Sequence, residues 1–217
     1  MPENKLLADR FSAANMKLPL VAILRGIKPE EAECFGLGLY NSGFRLIEVP
    51  LNSPEPFASI AAIRRVLPTD ALVGAGTVIN VEQVARIKAC GGELVYMPHS
   101  NNAVICAAKA AGLLCVPGVA TPTEAFAALA AGADALKLFP GELITPKVLK
   151  AIGVVLPKGT RLIPFGGITP DTMKAYLDAG ASAFGLGSAL YTPGMTCDQV
   201  LERAKCFVDT WKHLTQI

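Results

Sequence analysis

Short apolar runs of four or five residues recur along the chain, and most are entered through a glycine that closes a helix-like stretch. The joint reads Ser42-Gly43-Phe44 before LIEV, Cys90-Gly91-Gly92 before LVYMP and Ala111-Gly112 before LLCVP. It returns as Ala131-Gly132 before ALKLFP and as Ala179-Gly180 before AFGLG. A glycine just past a helix can adopt the left-handed conformation that ends it. Runs this short suit parallel strands buried on both faces. Strands are therefore expected near Leu20–Leu24, Leu46–Val49, Leu72–Ala75, Leu94–Tyr96, Leu114–Val116, Ala135–Leu138, Leu162–Pro164 and Ala183–Leu186. Helices are expected over Pro29–Tyr40, Val81–Ala89, Thr121–Ala130 and Asp171–Ala179. Thr121-Pro122-Thr123-Glu124 is a helix start, with a capping hydroxyl, a proline at the first position and an early acid. Eight β-α units spaced by roughly 20–27 residues predict a single-domain (β/α)8 TIM barrel over residues 1–217. A doubly wound open sheet is the alternative, although such folds usually carry fewer strands. An extra N-terminal helix, Lys5–Ala14, is expected to cover the bottom of the barrel.

Composition narrows the picture further. The 217 residues are 52% hydrophobic, enough for a continuous core, and the mean hydropathy is +0.42. Lys and Arg number 20 against 18 Asp and Glu, without a basic block or stripe, so no nucleic-acid partner is expected. The N-terminus carries charges where a signal peptide needs an apolar run. No apolar segment approaches the ~20 residues of a membrane helix, so a cytoplasmic protein with no membrane partner is expected. The 6 cysteines form no Cys-x-x-Cys pair and read as small buried apolar residues. The 2 histidines, His99 and His213, lack ligand-type spacing, so no metal site and no histidine-based triad is expected.

A barrel carries its chemistry at the C-terminal ends of its strands. Lys137 lies within the apolar run ADALKLFP, and an ammonium group is costly to bury without a partner. Desolvation favours the neutral amine, which is a nucleophile toward carbonyl carbon. A lysine that snorkels outward is the competing explanation. Arg25 follows the first strand, Glu48 lies on the second, Thr77 follows the third and Pro98 the fourth. Strands two and six sit about halfway round an eight-strand barrel from each other, so Glu48 and Lys137 can reach a shared centre. A carboxyl facing a Schiff-base lysine is a natural proton shuttle. Gly166-Gly167 and Gly187-Ser188, after the last two strands, suit a phosphate held by exposed backbone N–H groups. Tight turns alone are the competing explanation for these glycines.

The segments LVAILRGI (20–27), LIEVPLNSP (46–54), VGAGTV (73–78), ALKLFP (135–140), FGGITP (165–170) and GLGS (185–188), with Pro98, resemble the keto-deoxy-phosphogluconate/phosphogalactonate aldolase family. The match runs in order from about Leu18 to the C-terminal helix, and the phosphogalactonate branch is the nearer. The resemblance implies a class I aldolase that cleaves a six-carbon keto-acid phosphate to pyruvate and D-glyceraldehyde 3-phosphate. It needs no cofactor, because the protonated imine is the electron sink. Lys137 would form the Schiff base and Glu48 would move the protons. Arg25 and Thr77 would hold the substrate carboxylate, while Gly167, Gly187 and Ser188 would hold the 6-phosphate. Gluconate-type members commonly carry an arginine where this chain has Asn52, which leaves Arg25 to face that carboxylate. Before Gly166, the galactonate branch tends to carry valine and the gluconate branch threonine. This chain has Phe165, which cannot donate a hydrogen bond to a C4 hydroxyl. Family members are typically homotrimers. A phosphate-binding barrel isomerase or a sugar-phosphate sensor would use the same glycine rim without a nucleophilic lysine.

Overall fold

The computed structural model describes residues 2–216. Nine short parallel strands alternate with helices along the described chain: β1 (Leu20–Ile23), β2 (Leu46–Pro50), β3 (Leu72–Gly76), β4 (Leu94–Tyr96), β5 (Leu114–Val116), β6 (Gly118–Val119), β7 (Leu136–Leu138), β8 (Leu162–Pro164) and β9 (Phe184–Leu186). The helices are α1 (Pro2–Lys17), α2 (Pro29–Asn41), α3 (Pro56–Val66), α4 (Val81–Ala89), α5 (Asn102–Ala110), α6 (Pro122–Ala130), α7 (Pro146–Val155), α8 (Pro170–Asp178) and α9 (Cys197–Thr215). Among the described residues no helix is long and apolar enough to cross a membrane. The joint glycines end their helices as the pattern implied, from Gly43 at φ 107° to Gly112 at φ 71°. Thr121 caps α6, its hydroxyl accepting from the Glu124 N–H while the Glu124 carboxylate accepts from the Thr121 N–H.

The strands form a six-stranded parallel sheet in the order β5-β4-β3-β2-β1-β9 and a three-stranded one in the order β6-β7-β8. The fifth expected strand is thus followed by a separate two-residue strand. Pro117 causes the break, because it has no N–H to give to a ladder. Its carbonyl still accepts the Lys137 N–H at 2.9 Å, which ties the two sheets together on that side. On the other side the Ser182 N–H donates to the Leu162 carbonyl at 2.8 Å, and Phe165 bridges Gly185.

Side chains alternate across this wall. Ala22, Ile47, Val73, Val95, Leu136 and Phe184 face outward into a large cluster shared with the helices. Val21, Leu46, Leu72, Leu94, Leu114 and Ile163 belong to a second cluster that also contains Leu7, Phe11 and Ala14 of α1. The N-terminal helix therefore plugs the inside of the wall, with Phe11 wholly buried. Arg161 pins it by donating to Ser12 Oγ at 2.7 Å.

Candidate active site

The two-residue period of a strand decides which side chains reach the interior. On β2, Leu46 points in, Ile47 out and Glu48 in. On β7, Leu136 and Leu138 point out and Lys137 in, two residues after the inward Ala135. Lys137 is 5% exposed and Glu48 is 1% exposed. Both line a cleft of about 250 Å³, together with Arg25, Phe165, Gly187 and Ser188.

Glu48 reaches its position because β3 carries no side chain beneath it. A Cβ on Gly76 would stand 1.5 Å from Glu48 Oε2, so only glycine permits this carboxyl geometry. Oε2 is sealed from solvent and has no hydrogen-bond partner among the described residues. The Lys137 Nζ stands 4.3 Å from the Phe165 ring centroid and 4.9 Å from that of Phe139, and pairs with no carboxylate among the described residues. Loss of water around Glu48 raises its pKa, with Lys137 and Arg25 opposing. Loss of water around Lys137 lowers its pKa, with Glu48 opposing and Arg25 adding to the fall. Desolvation leads in both cases, so each group is driven toward its uncharged form. A neutral amine and a neutral carboxylic acid in one cleft supply a nucleophile and a proton donor.

Arg25 lies at the mouth. Its guanidinium donates to Asn52 Oδ1 at 2.6 Å, and the Gly26 N–H next to it donates to Ser53 Oγ at 2.8 Å. The segment after β2 thus braces the turn after β1. Gly166, Gly167, Gly187 and Ser188 line an adjoining hollow of about 410 Å³, beside the start of α8. Two charged residues not singled out from the sequence share it, Glu142 and Arg203. Arg203 donates to the Ser188 carbonyl at 3.1 Å. The Glu142 carboxylate lies against the glycine pair, 2.8 Å from where a Gly166 Cβ would be.

Of the residues expected at the site, Lys137, Glu48, Arg25, Phe165, Gly166, Gly187 and Ser188 meet in the cleft, and Gly167 lines the adjoining hollow. Thr77 and Pro98 do not line the cleft. Thr77 follows β3 with φ 55°, and the Pro98 carbonyl carbon packs where a Gly118 Cβ would come within 2.6 Å. Ile23, Phe139, Tyr191, Thr192 and Pro193 complete the cleft wall and were not anticipated.

The family model for KDPG and KHG aldolases matches residues 12–204. A probable 2-dehydro-3-deoxy-6-phosphogalactonate aldolase of Rhizobium meliloti (strain 1021) is 46% identical over 196 residues, covering 90% of this chain and 92% of its own. The 2-dehydro-3-deoxy-6-phosphogalactonate aldolase of Escherichia coli (strain K12) is 42% identical, covering 92% of this chain and 98% of its own. A solved structure described as native KDPGal superposes with a TM-score of 0.90 at 42% identity, over 93% of this chain and 98% of that one. With an aldolase model spanning most of its length and relatives above two-fifths identity, the chain belongs to the KDPG and KHG aldolase family.

Proposed function

We propose that this chain is a class I aldolase that cleaves 2-dehydro-3-deoxy-6-phosphogalactonate to pyruvate and D-glyceraldehyde 3-phosphate. The observation that carries the reading is the meeting of an uncharged-leaning lysine and an uncharged-leaning glutamic acid in one cleft. The Lys137 lone pair attacks the C2 carbonyl to give a carbinolamine. Glu48 donates the proton with which water leaves, and a protonated imine forms. The resulting Glu48 carboxylate takes the C4 hydroxyl proton, the C3–C4 bond breaks, and its electrons pass into the imine as an enamine. The aldehyde half departs. Glu48 then returns a proton to C3, and water releases pyruvate from Lys137.

Arg25, steadied by Asn52, faces the substrate carboxylate. The backbone of Gly166, Gly167, Gly187 and Ser188 receives the 6-phosphate, with Arg203 as the nearby positive charge. Phe165 shapes the space around the sugar chain. Phe165 offers no donor to a C4 hydroxyl, which favours the galactonate over the gluconate epimer. The same reaction on the gluconate epimer is the second reading. A side-by-side rate comparison on the two epimers tests this, with release of pyruvate coupled to an indicator enzyme. Faster turnover of the galactonate epimer is expected, and equal or inverted rates would remove the substrate assignment.

The two sheets are read as one closed (β/α)8 barrel, a single domain over residues 1–217, joined at Pro117 and at the Phe165–Gly185 bridge. Leu143, Val154 and Val155 are exposed apolar side chains on or before α7, and they suit burial between subunits of a cytoplasmic homotrimer.

A further inference from the structure

Among the described residues, two buried polar atoms inside the wall have no partner, and both stand beside β3. One is Glu48 Oε2, which lies over Gly76. The other is the hydroxyl of Tyr96, wholly buried at the end of β4. The strand register brings them together. Gly74 pairs with Leu94 and Ala75 with Val95, so Tyr96 follows as the inward neighbour of Gly76. Glycines at 74 and 76 leave the inner face of β3 without side chains between the glutamate and the tyrosine. The Tyr96 ring is fixed from its other side by Phe165, 5.4 Å away between centroids. A buried tyrosine hydroxyl nearly always finds a hydrogen-bond partner, and so does a buried carboxyl oxygen. The two atoms make no direct bond. Two such groups with only glycine between them suit a bridge through one enclosed water.

We propose that Tyr96 is a positioning residue for Glu48, its hydroxyl holding Oε2 through one enclosed water so that the other carboxyl oxygen faces Lys137 and the substrate. The arrangement rests on the reading of Lys137 and Glu48 as the reacting pair. Glu48 is faced by Lys137 from β7, by Arg25 from the turn after β1 and by Tyr96 from β4, while β3 presents only glycine. Burial drives the Tyr96 hydroxyl well above its ordinary pKa, with Glu48 adding to the rise, so it stays protonated and able to donate. Donation toward the carboxylate favours the charged form of Glu48. Removing the hydroxyl therefore moves the titration of Glu48 to higher pH.

The test follows deuterium exchange at C3 of pyruvate by proton NMR, which reports Lys137 and Glu48 without any sugar substrate. Wild type should exchange and Lys137→Ala should not. In Tyr96→Phe, which keeps the ring against Phe165, exchange should slow about tenfold, as the loss of one hydrogen bond to a charged group implies. The limb of the pH profile that reports Glu48 should move to higher pH. In a Glu48→Gln background, Tyr96→Phe should change nothing further. Exchange within twofold of wild type, an unmoved limb, or the same loss in the Glu48→Gln background would each overturn the role of Tyr96 while leaving the aldolase reading intact. No exchange by wild type would overturn both.

Discussion

The two ends of the strand wall use the same residue types to opposite purposes. At the N-terminal end Arg10 is paired with Glu93, and Arg64 approaches that same glutamate at 3.4 Å. Both arginines also donate to the Ala71 carbonyl, and Arg161 reaches Ser12. Arg10 and Arg64 thus share one carboxylate, and Phe11 lies wholly buried close by. At the C-terminal end Lys137 and Glu48 are more deeply buried, yet neither forms an ion pair among the described residues. Paired charges hold a helix in place, whereas unpaired buried ones cost stability and persist where their reactivity is used. The bottom is built for stability and the top for chemistry, the division of labour that parallel barrels show.

The sharpest way to break this contrast is at Lys137. Lys137→Met should abolish turnover while making the protein more stable by about 1 kcal/mol at neutral pH, since a buried charged form is no longer at stake. Urea unfolding followed by circular dichroism checks this. The sign depends on pH. The native pKa of Lys137 lies below its unfolded value, so the unfolded chain binds the extra proton between the two. Wild-type stability should rise with pH across that interval, and the advantage of the methionine variant should shrink accordingly. A variant less stable than wild type at neutral pH would place Lys137 among the structural charges.

The opposite effect is expected at the other end. Phe11→Ala should cost about 3–5 kcal/mol of stability through the cavity it leaves, with kcat nearly unchanged wherever the protein remains folded. A fall in kcat without a fall in stability would show that the plug and the cleft are coupled. The smallest effect belongs to the rim. Arg203→Ala should raise KM roughly three- to tenfold for a phosphorylated substrate with little change in kcat, as one charge-assisted contact is lost. Glu142→Gln should lower KM, because it removes a carboxylate from the hollow proposed to take the phosphate.

Much of this arrangement was legible in the chain because it depends on local rules. The joint glycines, the Thr121 capping box and the short apolar runs act within a few residues of themselves. Lys137 and Glu48 stood out because each is the one charged side chain of its strand, and the period of two then sets its direction. Pairing across the molecule was less accessible. That Pro117 divides a strand between two sheets follows from which neighbour accepts or donates on each side of it. Arg203 enters the site from α9, far along the chain from the glycines it approaches, with nothing local to mark it. Thr77 and Pro98 lie just beyond strand ends, where the alternation lapses and the backbone turn decides direction. Tyr96 did carry a signal, since it repeats the inward position of Leu94, but the hydroxyl gains meaning only beside Glu48.

The proposed chemistry rests on an uncharged, reachable amine at Lys137, and one measurement addresses it directly. Wild-type protein incubated with pyruvate and borohydride, then digested and mapped by mass spectrometry, should carry a reduced pyruvyl adduct on the peptide containing Lys137. Lys137→Ala treated identically should carry none. An unmodified Lys137 in wild type, or an adduct on another lysine that survives the substitution, would contradict the account.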